Sequence, residues 1–147
     1  LLLLLVSVIG ISSYFLFKDK INLLDVDHSA VDWNGKKQKD TSGEENTIAI
    51  PGFEKVTLYA NETTQAVNFH NPEINDCYFK ISLIHPDGSV LWISDLIEPG
   101  KGMYSIELEK TLAVGEYENA VLKYECFSLN DQSPLNGSEI NLKLVVV

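Results

Sequence analysis

The sequence predicts a single antiparallel β-sandwich of seven or eight strands, preceded by an N-terminal transmembrane helix. Over residues 47–147 apolar and polar residues alternate, and Gly, Pro, Asn and Asp interrupt the alternation at intervals of about ten residues. Residues 1–17 are instead an unbroken, uncharged and mostly apolar run. This contrast indicates a membrane-inserted segment followed by one small all-β domain.

The N-terminal run is at the lower limit for a membrane-spanning helix, which needs about 17–25 mostly apolar residues. A cleaved signal peptide would end in small residues, whereas this run ends in the bulky sequence Tyr14-Phe15-Leu16-Phe17. We therefore expect residues 1–20 to be a transmembrane anchor or an uncleaved signal, with a cleaved signal as the main alternative. The chain does not begin with Met, so we expect further residues upstream, and the sequence leaves the membrane orientation open.

Residues 21–46 are predicted to be a polar tether between the anchor and the domain. They mix acidic and basic side chains with Gly35, Ser42 and Gly43, and such low hydrophobicity does not offset the entropy lost on ordering. Trp33 interrupts this composition. It either docks on the folded domain, contacts the membrane interface, or is a partly exposed linker residue.

The first half of the domain, which begins at residue 47, contains four strand patterns. Pro51-Gly52 ends the first pattern and Asn71-Pro72 ends the third, because Pro cannot donate to a strand ladder. The predicted strands are residues 47–50, the segment with Val56 and Leu58, the segment with Val67 and Phe69, and the strong strand whose one face carries Cys77, Phe79, Ile81 and Leu83.

The second half follows a tight turn at residues 85–88, where Pro presets φ and Gly accepts a positive φ. The continuously apolar residues 90–93 predict a strand that is covered on both faces. Residues 104–109 and 140–146 alternate between apolar and polar side chains and predict half-buried strands.

The longest pattern covers residues 116–129. Tyr117 is out of phase with the apolar face of this strand, so we expect a β-bulge near Glu118 and Asn119. Together these patterns predict an all-β domain over residues 47–147, a single antiparallel immunoglobulin-like β-sandwich. A closed barrel is the alternative.

The charge composition excludes some classes of partner. The 147 residues include 21 Asp and Glu against 11 Lys, no Arg occurs, and the net charge is −10. Arg is the usual side chain for bidentate recognition of phosphates and base edges. We therefore expect no nucleic-acid partner, and we interpret the acidity as a means of keeping an exposed domain soluble.

The two cysteines, Cys77 and Cys126, lie on the apolar faces of their predicted strands. Either they form a disulfide, which an exported protein permits, or both are small buried hydrophobic residues. A metal site would need further ligands that the sequence does not place.

Short motifs carry a resemblance to known domains. Tyr124-Glu125-Cys126 resembles the Tyr-x-Cys of immunoglobulin domains, in which the Tyr hydroxyl ties down a loop and the Cys bonds to a partner strand. Gly115-Glu116-Tyr117 is similar to the Gly-x-Tyr that opens a late strand in many bacterial immunoglobulin-like modules. Unlike the immunoglobulin pattern, no Trp lies between the cysteines in the usual core position, unless Trp92 serves.

At the scale of the whole domain, residues 32–147 resemble a family of small, functionally uncharacterised membrane-anchored surface proteins of Gram-positive bacteria. This resemblance implies a surface location and an immunoglobulin-like fold, and it implies no mechanism. It is carried by Ile50-Pro51-Gly52-Phe53, Asn71-Pro72, Cys77-Tyr78-Phe79, Leu96-Ile97-Glu98-Pro99-Gly100-Lys101 and Leu135-Asn136-Gly137.

Candidate chemical groups are sparse. His28 lies near Asp25, Asp27 and Asp32, a combination that suits a cation, but the EF-hand spacing is absent and a solvated linker is favoured. His70 and His85 have no obvious Ser or Cys nucleophile nearby in sequence, although the sequence leaves proximity in space open. The carboxylates of residues 107–125 are interpreted as a solvated sheet face, with Ca²⁺ or a basic partner as alternatives. We therefore predict no enzyme activity, no cofactor, and no catalytic or metal-ligating residues.

These features favour a non-enzymatic protein-interaction or assembly module at the cell surface. We expect a single-pass membrane protein with its β domain outside the cytoplasm and another envelope or surface protein as its partner. A surface module that binds carbohydrate or Ca²⁺ is the alternative. A filament subunit of the pilin kind ranks below both, because the apolar run lacks the early Glu of pilins.

Overall fold

A computed structural model describes residues 23–35 and 48–147, and in this part of the chain the fold is all-β. The predicted anchor over residues 1–20, and residues 21–22 and 36–46 of the predicted tether, lie outside the described residues. The strands are β1 (Val31–Asp32), β2 (Lys55–Leu58), β3 (Thr64–His70), β4 (Cys77–Ile84), β5 (Val90–Ile93), β6 (Lys101–Glu107), β7 (Gly115–Ser128) and β8 (Pro134–Val146).

The strands form two sheets. One has the order β1-β6-β3 and the other the order β2-β8-β7-β4-β5. Every pair of neighbouring strands is antiparallel except β2 and β8, which are parallel. The prediction of a wholly antiparallel arrangement was therefore wrong at this edge. β2 and β8 are separated by most of the domain, so no tight turn dictates their relative direction.

Both sheets contribute to one hydrophobic core. Phe69 and Ile106 enter it from the three-stranded sheet, and Phe79, Leu122 and Leu144 enter it from the five-stranded sheet. Side chains two residues apart in a strand lie on the same face, and each of these residues is on the apolar face of its strand. The period-2 pattern therefore accounts for which side chains are buried.

Two predicted segments differ in the structure. Residues 48–50 form no strand, and the buried Asn75 side chain holds Ala49 there, donating to its carbonyl at 2.9 Å and accepting from its amide at 2.8 Å. β5 is an edge strand, in which Val90 and Ile93 are about half exposed. The prediction that β5 is covered on both faces was wrong, because a continuous apolar run does not distinguish an edge strand from a central one.

The predicted bulge in β7 is confirmed. The register of β7 against β8 shifts between Tyr117 and Ala120, so that Glu118 and Asn119 face the single residue Lys143. Asn119 has a φ of 62°, which Asn tolerates better than most residues. The Lys143 ammonium lies 2.6 Å from the Glu118 carboxylate across the bulge.

The loop-tying tyrosine is Tyr117 rather than Tyr124. The Tyr117 hydroxyl donates a hydrogen bond to the carbonyl of Ala113 at 2.8 Å, joining the start of β7 to the preceding loop. Tyr124 is buried, its ring packs edge-on against Phe79, and its hydroxyl has no partner among the described residues. Burial raises the pKa of Tyr124 well above its ordinary value, so its hydroxyl stays protonated.

These two environments predict opposite effects of the same substitution. We expect Tyr117→Phe to lower the free energy of unfolding by about 0.5–1 kcal/mol, because it deletes a hydrogen bond. We expect Tyr124→Phe to leave it unchanged or raise it by up to about 1 kcal/mol, because an unpartnered buried hydroxyl is unfavourable. Urea unfolding of both variants measures the difference. A loss above about 1 kcal/mol in Tyr124→Phe would mean that its hydroxyl has a partner.

Candidate functional site

An ordered strap, residues 23–35, lies against the domain in the region that the sequence suggested was tether. Val26 forms a parallel bridge with Leu96, whose carbonyl accepts from the Asp27 amide at 2.8 Å and whose amide donates to Asp25 at 3.0 Å. Further along, β1 pairs with the first residues of β6. These hydrogen bonds use backbone atoms, which every residue has, so the polar composition of the segment did not predict them.

The acidic residues near His28 serve the strap itself. One oxygen of Asp27 accepts from the Ser29 amide at 2.9 Å, and the other accepts from the Asp95 amide at 3.1 Å. Asp27 therefore closes a local turn and joins the strap to the segment after β5. In the described part of the chain, no group of three or more His, Cys, Asp or Glu side chains could hold a metal ion.

Trp33 anchors the strap on the domain, which is one of the roles that the sequence suggested for it. Its indole stacks on His70 with a centroid distance of 3.8 Å and an interplanar angle of 8°, and its Nε1 donates to the Asn68 side chain at 2.7 Å. Asn68 lies at a register shift in β3, and such bulges re-aim side chains. A Cβ on Gly102 would lie 2.8 Å from the Trp33 ring, so only glycine allows this approach.

A cleft of about 450 Å³ opens beside Trp33. It lies where three segments meet: the strap, the loop from β3 to β4, and the loop from β5 to β6. This volume is within the range of small-ligand sites. Its lining residues are Asp32, Trp33, His70, Pro72, Glu73, Ile74, Pro99 and Gly100.

The cleft combines apolar walls with carboxylates. Ile74 is 69% exposed, and Glu73 beside it is exposed. The Asp32 carboxylate contacts the Lys101 ammonium at 2.6 Å. Their hydrogen bond and opposite charges lower the pKa of Asp32 and raise that of Lys101. Both groups therefore remain charged near neutral pH.

Asn71, which is fully buried, lies between His70 and Pro72 of the lining, and we call this segment the floor of the cleft. Its side-chain amide donates to the carbonyls of Cys77 at 2.8 Å and Ile97 at 2.9 Å. Its backbone carbonyl accepts from the Gly100 amide at 2.8 Å, and its own amide donates to the Lys101 carbonyl at 2.9 Å. One side chain thus joins both loops that line the cleft. In the sequence, Asn71-Pro72 indicates only the end of a strand.

The two cysteines lie close together. Both thiols are buried and free, and they are near enough to form a hydrogen bond with each other. This contact and burial raise the pKa of Cys126, which keeps its thiol protonated. They lie on β4 and β7, which are neighbours in the same sheet. The disulfide stays a prediction.

The other two histidines lie outside the lining of the cleft. His85 is in the turn before β5, where its Nδ1 lies 3.0 Å from the Asp87 carboxylate and its ring contacts Tyr117. His28 is in the turn of the strap. His70 is therefore the one histidine of the sequence that lines the cleft in the described structure.

Comparison with protein-family models, with curated proteins and with solved structures finds no match to this chain. The resemblance to Gram-positive surface proteins therefore stays an expectation. Within residues 23–35 and 48–147, no helix is long and apolar enough to cross a membrane.

The contacts of Trp33 predict that it holds the strap in place. We expect Trp33→Ala to lower the free energy of unfolding by about 1–3 kcal/mol, because an aromatic stack and its buried area are lost. Hydrogen exchange at the Trp33 and Asp27 amides should accelerate, since these amides bond to Gly100 and Leu96.

The matched control is Trp33→Phe, which keeps a ring on His70 but loses the bond from Nε1 to Asn68. It should have roughly half the effect of the alanine variant. Unchanged exchange of the strap in Trp33→Ala would show that other contacts hold it.

Proposed function

We propose that this chain is a non-enzymatic binding module at the cell surface. In this proposal a single N-terminal helix anchors an immunoglobulin-like β-sandwich outside the cytoplasm. The cleft beside Trp33 binds a segment of a protein partner that carries basic and apolar side chains. The observation that carries the proposal is this cleft, in which an exposed aliphatic side chain lies beside carboxylates.

The order of the strands supports the immunoglobulin-like assignment. In that fold the B and E strands share one sheet, and the C, F and G strands are neighbours in the other. Here β3 pairs with β6, while β4, β7 and β8 are successive neighbours with β5 beside β4. The match is obtained by taking β3 as B, β4 as C, β6 as E, β7 as F and β8 as G.

The strands that carry the two cysteines differ from those that carry the disulfide of immunoglobulin domains. Immunoglobulin domains of antibodies place their disulfide between the B and F strands of opposite sheets. Cys126 occupies the F strand in this assignment, but Cys77 is on the C strand of the same sheet. The Tyr-x-Cys likeness therefore extends to the strand that carries it and not to the partner of its cysteine.

The geometry also suggests which end of the domain faces the membrane. The β7–β8 turn holds the start of the strap, because the Gln132 side chain bonds to both the amide of Leu24 at 2.6 Å and its carbonyl at 3.0 Å. Cys77, at the start of β4, pairs with Ser128 just before this turn. The β3–β4 loop therefore lies at the same end. With the apolar run as a membrane anchor, the cleft would be on the membrane-proximal side.

The charge of the cleft favours a basic ligand. Asp32 and Glu73 flank apolar walls formed by Ile74 and two prolines, and the whole chain has a net charge of −10. Lys101 is the cation nearest to Asp32, and it is already paired with that carboxylate. A lysine or arginine next to an aliphatic residue matches this surface in both charge and polarity.

Carbohydrate is the second candidate, since Trp33 lines the cleft and sugars pack on aromatic rings. The stack on His70 argues against it, because one face of the indole is already covered. A sugar bound in the cleft could pack only on the other face of the Trp33 indole and form hydrogen bonds with the carboxylates.

Binding can be tested with the full chain in nonionic detergent micelles. The probe is the capped tetrapeptide Lys-Leu-Lys-Leu, and Glu-Leu-Glu-Leu is its control. NMR of the two indole N–H groups gives an internal reference, since Trp33 lines the cleft and Trp92 is buried in the core. We expect the Trp33 signal to shift with a Kd on the order of 100 µM, a binding free energy of about −5.5 kcal/mol.

Charge reversal supplies the specificity control. Glu73→Lys should weaken the binding at least about fivefold, because it replaces an attraction with a repulsion. Glu109→Lys makes the same charge change beyond the opposite end of β6 and should leave the binding unchanged. A Trp33 shift with oligosaccharides and not with the basic peptide would favour the second candidate. No shift with either ligand would reject the cleft as a binding site.

A further inference from the structure

We propose that Cys77 and Cys126 become joined by a disulfide during folding, and that this bond braces the floor of the cleft. The proposal assigns a covalent modification to two buried thiols that the binding function does not use. It rests on their register, on their burial, and on a hydrogen bond that links Cys77 to the cleft.

The register places the two side chains on one face of neighbouring strands. Cys77 is opposite Ser128, and Cys126 is opposite Phe79, so the cysteines are diagonal neighbours across the β4–β7 pair. Each is only 1% exposed, and both belong to the core cluster. No other strand separates them.

A diagonal pair is slightly too far apart for a bond in an ideal sheet. Diagonal neighbours are about 7–8 Å apart, whereas the Cα atoms of a disulfide are usually about 4.4–6.8 Å apart. A small shift is therefore needed, and the local structure allows one. Cys77 is the first residue of β4, directly after a loop, and β7 has a register shift against β8 between Tyr124 and Cys126.

The burial of both thiols dictates when the bond forms. In the finished fold the sulfur atoms are inside the core, beside the packed rings of Phe79 and Tyr124, where an oxidant has no access. The bond must therefore form before the core closes. Export, as in the proposed function, would place the folding chain in an oxidising compartment.

The chemistry is thiol–disulfide exchange with oxidised glutathione or with an oxidoreductase whose two active-site cysteines form a disulfide. One cysteine thiolate attacks the disulfide of the oxidant and displaces a thiol, which leaves a mixed disulfide. The second cysteine thiolate then attacks the cysteine sulfur of that intermediate and releases the second thiol. Two S–H bonds are lost from the chain and one S–S bond is formed, while the disulfide of the oxidant is reduced to two thiols.

The link to the cleft runs through Asn71. The carbonyl of Cys77 accepts a hydrogen bond from the Asn71 side chain, which also bonds to Ile97. Asn71 lies between His70 and Pro72, both of which line the cleft. A bond from Cys77 to β7 would fix the carbonyl on which this network rests. The cleft would then be more rigid in the oxidised protein than in the reduced protein.

The first experiment counts thiols in the full chain. The protein is refolded in detergent micelles with a glutathione redox buffer, denatured, and treated with a maleimide mass tag. We expect no tag before reduction and two tags after it. Two tags without reduction would overturn the disulfide.

The second experiment measures the brace without any ligand, so that its result does not depend on the proposed function. We expect protein refolded with a reductant to have a Tm roughly 10–20 °C below that of protein refolded in the glutathione redox buffer, because the closed core keeps a reductant from the bond in the folded protein. We also expect hydrogen exchange in residues 70–77 and 96–101 to be at least about tenfold faster in the reduced protein, if the bond contributes more than about 1.4 kcal/mol to closing this region.

The double variant Cys77→Ala/Cys126→Ala is the control for the reductant itself. Its Tm and exchange should not respond to reductant. An equal response would show that the reductant acts elsewhere. A disulfide that forms while exchange in these residues is the same in both redox states would overturn the brace. Should the variant fail to fold, the comparison of oxidised and reduced wild-type protein still decides both points.

Discussion

The end of the fold that carries the cleft depends on hydrogen bonds between buried asparagine side chains and the backbone. Where strands stop and loops cross over a core, amides and carbonyls lose their ladder partners, and each unpaired buried group costs about 1–3 kcal/mol. Asn71 and Asn75 meet this demand, since both are buried and their side chains bond to each other at 2.9 Å. Asn75 holds Ala49, and Asn71 joins the two loops of the cleft. The lining of the cleft is therefore positioned by the same network that satisfies the buried backbone.

Much of the fold could be predicted because a strand leaves a period-2 signature. The bulge at Glu118 and Asn119 followed from the wrong phase of Tyr117, because one extra residue is what restores the phase of an alternating strand. The strap could not be predicted in the same way. Its pairing uses backbone atoms and Asp27, and its large side-chain contact is the stack of Trp33 on His70. The amino-acid composition of such a segment is polar on average, and it does not indicate which backbone groups pair with the domain.

The role of the tyrosines shows a different limit of sequence reasoning. Tyr124 has the spacing to Cys126 that is typical of an immunoglobulin corner, yet the hydroxyl that reaches a backbone carbonyl belongs to Tyr117. The two residues lie on the same strand, and the bulge between them brings both side chains to the core face, Tyr117 at the start of the strand and Tyr124 in its middle. A motif records spacing along the chain, whereas the corner requires a direction in space. Only Tyr117 lies close enough to the start of the strand for its hydroxyl to reach the carbonyl of Ala113 in the preceding loop.

The cleft is formed by residues that, in the sequence, indicate only the end of a strand and a loop. Asn71-Pro72 indicates the end of a strand, and Glu73 and Ile74 belong to no motif, although these four residues run from the floor of the cleft to its lining. A turn sequence signals that the chain changes direction and does not reveal what its side chains enclose. What the turn encloses is set by β6, which brings Gly102 opposite His70, and by the missing side chain of Gly102, which leaves room for Trp33. The candidate site is thus a product of strand register, and its residues become recognisable only once the two sheets have been assembled.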